Sequence, residues 1–350
     1  MKRPRTQSVL NMRAVAQHAG VSSATVSRVI NGSAAVNEDT AERVRKALED
    51  LHFIPNPIAT ALKYGRSKTY GVIVPDLTNP FYAEFLLQFE DVLVEIDHEL
   101  LMATTQSNES KLMSSVRRML MRRVDGVVLM ASELDTKAIE SLFEHRIPIV
   151  TIDRRHVQEG TGDVAIAFED AYLTAVLHLH ELGHTRIGFI GGNEGIVTSQ
   201  IRLEAFERAL QQVSLPFFKS LVAHGNYRVS GGNAAMLSLL KAKPRPTAVL
   251  TANDLTAIGA MQALQMMGVS VPREMSVVGF DGIQFGTALY PPLTSVAISQ
   301  RELALTCVRA LDHLKSDVAR RGLSLMVHGS LVVRGSTGAP GETKRGQRHT

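Results

Sequence analysis

The sequence predicts a mixed α/β protein in which a small all-α head precedes a two-lobed core of parallel sheets flanked by helices. Three observations carry this reading. Between Met12 and Leu51 the apolar residues recur at helical spacing. From Thr69 onward short apolar strand-like runs alternate with amphipathic helical stretches, the pattern of parallel sheets covered on both faces. Finally, 350 residues exceed one typical domain, and the strands suffice for two sheets. The expected organisation is a head over 1–54, a linker over 55–68, a core over 69–335 and a polar, basic, disordered tail over 336–350.

In the head, Arg13 to Ala19 reads as a short helix closed by Gly20, and Ser22 caps a second helix from Ser23 to Asn31 that stops at Gly32. Two short helices joined by a tight Gly-containing turn form a helix-turn-helix. Val15, Ala16, Ala19, Val21, Val26, Val29 and Ile30 supply a small apolar wedge. Ser23, Thr25, Ser27 and Arg28 are expected on the outer face, where a helix with such short side chains fits a DNA major groove. Asn37 caps a third helix, with Glu38 and Asp39 in its first turn and Ala41, Val44, Leu48 and Leu51 closing the core. Asn56-Pro57 then opens a brief helix to Lys63, too short to hold together alone.

The words Val15-Ala16, Ala19-Gly-Val-Ser22, Thr25-Val-Ser-Arg-Val-Ile-Asn31 and Ile54-Pro-Asn56 closely resemble the lactose/galactose-repressor family of bacterial transcription regulators. The resemblance extends from Met12 to about Gly335. It is dense in 12–68, 71–81, 182–191 and 247–292. It implies a homodimeric, cytoplasmic regulator, most often a repressor, on a pseudo-palindromic operator in double-stranded DNA. DNA contacts are implied at Ser22, Ser23, Ala24, Thr25, Ser27, Arg28 and Asn31. The short helix would be a hinge, with Asn56 and Ala59 beside a minor-groove wedge at Leu62. Because Ser23 and Ala24 are short, Arg28 is expected to carry much of the hydrogen-bonded base readout, to a guanine, worth about 1–3 kcal/mol.

Charge agrees with that expectation. The net charge is only +4, yet Met1–Lys68 holds eleven Lys and Arg against five Asp and Glu, while the remainder holds 27 basic against 29 acidic residues. A basic head can gain affinity for DNA by counterion release. The single cysteine, Cys307, excludes an internal disulfide framework and fits a reducing compartment. The basic start Met1 to Gln7 leads into no long apolar run, so neither a signal peptide nor a membrane span is expected.

Strand-like runs lie at 70–74, 100–103, 126–130, 148–152, 164–167, 187–190, 248–251 and 277–280, and the chain returns late through 293–298. In open α/β sheets ligands bind at the carboxyl ends of strands. Polar residues recur there: Asp76 and Asn79-Pro-Phe81, Asp153-Arg154, Asn253-Asp254 and Asp281. The resemblance places effector contacts at Asn79, Phe81, Asp153, Arg202, Asn253 and Asp281. Carboxylates, amides, one Arg and one aromatic face suit a sugar or sugar derivative. Arg154 beside Asp153 adds room for a sugar acid or a phosphorylated sugar.

Rival classes are a sugar-binding transport protein, against which the basic head argues, and an α/β enzyme. Neither a catalytic constellation nor metal-ligand spacing is present, and no cofactor is implied. The glycines of Gly188 to Gly195 lack dinucleotide spacing and read as a loop at the lobe crossover. His184 reads as structural. The chain departs from the family pattern at Ala14, where Asp is common, and at Phe53, where Tyr is usual. Ala167-Phe168 stands for Asp-Asn, and Ala171-Tyr172 for a small Gly-containing pair.

Overall fold

The structure, a computed structural model, describes residues 11–30, 36–53, 67–130, 136–316 and 321–341. The chain divides into two units, Met1–Ser67 and Lys68–Thr350. The expected sites at Asn31, Asn56, Ala59 and Leu62, and the hinge helix itself, lie outside the described residues.

The first unit contains α1 (Met12–Ala19), α2 (Ser23–Ile30) and α3 (Glu38–Asp50). Each start is held by a side-chain oxygen. Asn11 accepts from the backbone of Arg13 and Ala14, Ser22 Oγ from Thr25 N at 3.1 Å, and Asn37 from Thr40 N at 2.9 Å. The first helix ends at Gly20 with φ +65°, a conformation that costs glycine nothing. Val15, Ala16, Ala19, Val26, Val44 and Ala47 form the core, with Phe53 packed on its edge. Each fully buried valine contributes about 1.5–3 kcal/mol relative to exposure. His18 Nε2 meets the Asp50 carboxylate at 3.2 Å, tying α1 to α3.

The second unit begins with β1 (Thr69–Val74), α4 (Pro80–Glu95), β2 (Glu99–Thr104), α5 (Glu109–Arg122) and β3 (Gly126–Leu129). Next come α6 (Thr136–Glu144), β4 (Ile149–Ile152), β5 (Thr161–Ile166), α7 (Phe168–Glu181) and β6 (Ile187–Gly191). They are followed by α8 (Val197–Gln212), β7 (Val222–His224), α9 (Val229–Leu239), β8 (Ala248–Thr251), α10 (Asp254–Met266) and β9 (Ser276–Asp281). The chain closes with β10 (Thr294–Ile298), α11 (Gln300–Ser316), β11 (Leu323–Val327) and β12 (Gly329–Val332).

These strands make two six-stranded sheets, ordered β11-β5-β4-β3-β1-β2 and β12-β10-β9-β8-β6-β7. Among the described residues only the β10–β12 pairing is antiparallel. The central strands are buried on both faces, which explains their unbroken apolar runs. The chain passes between lobes three times: after β5, between β10 and β11 through α11, and directly from β11 to β12.

Two expectations are corrected. The tail was expected to be disordered from 336, yet residues 336–341 strap the second lobe. Ser336 is fully buried, with Oγ accepting from Thr294 N at 2.8 Å and donating to Val277 O at 2.6 Å. Gly338 O accepts from buried His184 Nε2 at 2.9 Å, so Nδ1 is left to accept from Thr247 Oγ1 at 2.9 Å. Burial lowers the His184 pKa, consistent with that neutral, structural imidazole. The polar composition of the strap concealed a set of internal hydrogen bonds. The second correction concerns the glycine-rich loop. It follows β6 within the second lobe and is not a crossover; Gly192 is needed because a Cβ there would lie 2.0 Å from the Tyr227 ring.

Candidate functional site

The head presents a polar helix face. Ser22, Ser23, Ala24 and Arg28 are exposed and Thr25 is half-buried. The hydroxyls of Ser22 and Thr25 meet at 3.0 Å, so both are partly committed to the cap. Ser27 departs from expectation: it is buried.

In the second unit, both lobes contribute to one cavity of about 500 Å³. From the first lobe, β1 runs into the turn Pro75 to Asn79. There Asp76 Oδ1 accepts from Thr78 N at 2.8 Å and Thr78 Oγ1 at 2.6 Å. Asn79 caps α4 by accepting from Phe81 N at 3.1 Å. Phe81 and Tyr82 then face the cavity as an edge-to-face pair with centroids 5.6 Å apart. At the end of β4, Asp153 is left-handed at φ +55° and accepts from Ile166 N at 2.7 Å.

From the second lobe, α8 supplies Arg202, the end of β8 supplies Asn253, and the end of β9 supplies Asp281 at φ +109°. Asn253 also caps α10, accepting from Thr256 N at 3.0 Å while donating to Tyr227 O at 3.2 Å. Asp254 anchors the turn after Asp281, accepting from Ile283 N at 2.8 Å and Ser295 Oγ at 2.6 Å.

Arg202 lies on an aromatic bed. Its guanidinium carbon is 4.4 Å from the Phe168 ring centre and 4.8 Å from that of Phe280, and one nitrogen donates to Ala252 O. Tyr172 stacks on Phe280 at 5.3 Å. The family departures at Phe168 and Tyr172 therefore build the support for one cationic side chain. Arg202 Nε is buried and has no hydrogen-bond partner, leaving a donor for a ligand.

Thus six expected effector residues, Asn79, Phe81, Asp153, Arg202, Asn253 and Asp281, come together. Arg154 does not line the cavity. Its backbone N–H donates to Asp163 at 3.0 Å, while the neighbouring Arg155, left-handed at φ +59°, donates to Ile166 O at 2.5 Å. Asp153 and Arg155 are both left-handed, and Arg154 between them lies off the cavity that Asp153 lines. Unforeseen lining residues are Thr78, Tyr82, Tyr227 and Arg228. The last two follow a three-residue strand too short for periodicity to reveal.

Burial raises the Asp153 pKa to about 6 against the opposing Ile166 N–H and Arg202, and Asp254 to about 7. Asp281 is raised well above the carboxylate range by burial, with Asp254 adding to it. Burial also pushes Asp76 up, but hydrogen bonds from Thr78 and the Arg228 charge outweigh it and hold it below its usual value. The ionisable acids and bases lining the cavity are Asp76, Asp153 and Asp281 with Arg202 and Arg228, and of the three acids only Asp76 is held toward its charged form.

Among the described residues no helix is long and apolar enough to cross a membrane, and no group of three or more His, Cys, Asp or Glu is placed to hold a metal. A helix-turn-helix head and a two-lobed core around one polar cavity define a DNA-binding regulator with a small-molecule-binding core.

Comparison with known proteins agrees. Residues 11–56 match the family described as "Bacterial regulatory proteins, lacI family", and residues 176–337 a "Periplasmic binding protein-like domain". The chain is 33% identical over 325 residues to the HTH-type transcriptional repressor PurR of Actinobacillus pleuropneumoniae serotype 3 (strain JL03), covering 92% of this chain and 96% of that protein. The lac repressor dimer bound to operator and the anti-inducer ONPF superposes with a TM-score of 0.80 at 26% identity, over 94% of this chain and 99% of that one. The transcriptional regulator CelR in complex with cellobiose gives 0.68 at 29% identity, over 93% and 99%. The chain belongs to the lacI family of bacterial regulatory proteins, a family of transcription regulators.

Proposed function

We propose that this regulator binds a pseudo-palindromic operator as a homodimer, and that a neutral polyhydroxylated effector, a sugar or sugar derivative, controls that binding from the cavity. The observation that carries the effector reading is the convergence of Asp153, Arg202, Asn253 and Asp281 from both lobes on one cavity. Carboxylates accept from hydroxyl groups, and Arg202 keeps one unpartnered donor. The relative known with cellobiose and the lac repressor dimer on its operator support the same reading.

The sugar acid and phosphorylated sugar readings weaken, because Arg154 lies off the cavity and Arg228 is already paired with Asp76, so neither is a free cation for an anionic effector. On the head, Ser22, Ser23, Ala24, Thr25, Arg28 and the undescribed Asn31 face the operator in this proposal, with Arg28 reading a base edge.

Calorimetry with neutral sugars, sugar acids and purines against wild type, Arg202→Ala and Asp281→Ala tests the cavity. Neutral sugars should bind wild type alone. Both variants should keep operator binding in a gel shift at fixed salt while losing the effector response. A ligand held equally well by wild type and both variants would end the cavity assignment.

A further inference from the structure

The mouth of the cavity is tied across the two lobes by a pair that the sequence did not single out. Arg228, at the start of α9 in the second lobe, reaches the turn after β1 in the first. Its two terminal nitrogens donate separately, to Asp76 Oδ2 at 2.9 Å and to Thr78 Oγ1 at 2.9 Å. Thr78 Oγ1 in turn donates to Asp76 Oδ1 at 2.6 Å, which closes a ring of hydrogen bonds through guanidinium, hydroxyl and carboxylate.

Both ends of the tie are held before they meet. On the first lobe, Asp76 Oδ1 also accepts from the backbone of Thr78 and Asn79, so its carboxylate is oriented by its own turn. On the second, Asn226 Oδ1 accepts from Arg228 N and Gly231 N, both at 3.1 Å. Tyr227 is held left-handed at φ +59°, its hydroxyl 2.8 Å from Ser199 Oγ and its carbonyl accepting from Asn253. A non-glycine residue in that conformation persists only where its surroundings over-determine it. An isolated surface ion pair loses much of its value in ordering two free side chains, and here the carboxylate and the backbone carrying the arginine are already ordered. A second polar contact, Gln284 N to Glu84 Oε1 at 3.0 Å, also runs from lobe to lobe.

The cavity behind the tie still measures about 500 Å³, within the range of small-molecule sites. The tie is therefore compatible with an occupied cleft. We propose that Arg228 with Asp76 and Thr78 forms a latch that holds the lobes closed and slows the escape of whatever the cavity binds. The closure stands on the geometry alone; only its consequence for release rests on the effector reading above.

Single-molecule energy transfer on the full chain without ligand tests the latch. Dyes are placed at Met121→Cys on α5 and Met266→Cys on α10, two exposed positions on different lobes. Cys307 is buried and stays unlabelled under native conditions. Labelled chain is diluted into excess unlabelled chain, so that any dimer carries one labelled protomer.

Arg228→Gln should raise the open-to-closed ratio about two- to fivefold, the range expected for losing one exposed ion pair. Asp76→Asn, which keeps the oxygen that orders its own turn, should do the same. The double variant should go no further than either single one, because both remove the same interaction. Arg228→Lys should fall between wild type and Arg228→Gln. A distribution unchanged by Arg228→Gln, or effects of the two substitutions that simply add, overturns the latch. If the latch responds as expected while no compound in the calorimetric screen binds, the effector reading fails and the latch remains. If a ligand binds at Arg202 and Asp281 but the distributions do not move, the latch alone fails.

Discussion

Asp153, at the end of β4, is buried, with Ile166 N–H and Arg202 as the compensation for its carboxylate. Burial raises its pKa from 3.8 to about 6, so the folded chain keeps this proton over a window in which the unfolded chain has lost it. Stability from this group is therefore full below about pH 4 and lost as pH rises to about 6. Asp153→Asn cannot titrate. The stability of the variant relative to wild type, measured by urea unfolding from pH 4 to 7, should climb by on the order of 2–3 kcal/mol across that window. Parallel curves would show that the carboxylate titrates normally. In the sequence Asp153 and Arg202 were visible by type, whereas the aromatic bed of Arg202 was not. Phe168 and Tyr172 registered only as departures from a pattern, because stacking between residues of different elements leaves no local period. Arg154, expected at the site because it adjoins Asp153, lies off the cavity, since neighbours in sequence do not share one side of the chain.

The long helices and central strands were apparent from periodicity and unbroken apolar runs, and the caps of the second and third head helices from Ser22 and Asn37. β7, β11 and β12 were not. β7 has three residues, and β11 alternates between half-buried and exposed positions in a sequence that is apolar almost throughout. Nor did the sequence reveal how closely α9 and α10 approach. A Cβ on Gly259 would lie 2.0 Å from Val229 O, and one on Gly232 would lie 2.1 Å from Thr256 O. In both cases the obstacle is backbone, which cannot swing aside as a side chain would. Glycine is normally unfavourable inside a helix, so its presence at the two facing positions is explained by contact rather than propensity. Gly259→Ala should therefore destabilise the core by about 1–3 kcal/mol despite alanine's better helix propensity. A melting temperature at or above that of wild type would mean the helices can separate freely. Because α9 carries Arg228 at its start, the same substitution should also disturb the latch.

Regulation requires that the cavity and the head share a free energy, and that coupling is reciprocal. An effector that changes operator affinity by some factor must have its own affinity changed by the same factor when operator is present. We propose that the linker residue Leu62, which lies outside the described residues, carries this coupling. Leu62→Ala should weaken operator binding in a gel shift at fixed salt, because the proposed minor-groove wedge is gone. The same variant should leave the dimer and the effector affinity of the DNA-free protein as in wild type, since neither depends on the wedge. Calorimetric titration of the effector found in the screen, with and without operator, then reads the coupling directly. Wild type should show two distinct affinities, and Leu62→Ala should bring them together at whatever operator concentration saturates the variant. A variant that dissociates into monomers would mean instead that Leu62 is ordinary packing. One whose two effector affinities stay as far apart as in wild type would place the coupling elsewhere in the chain.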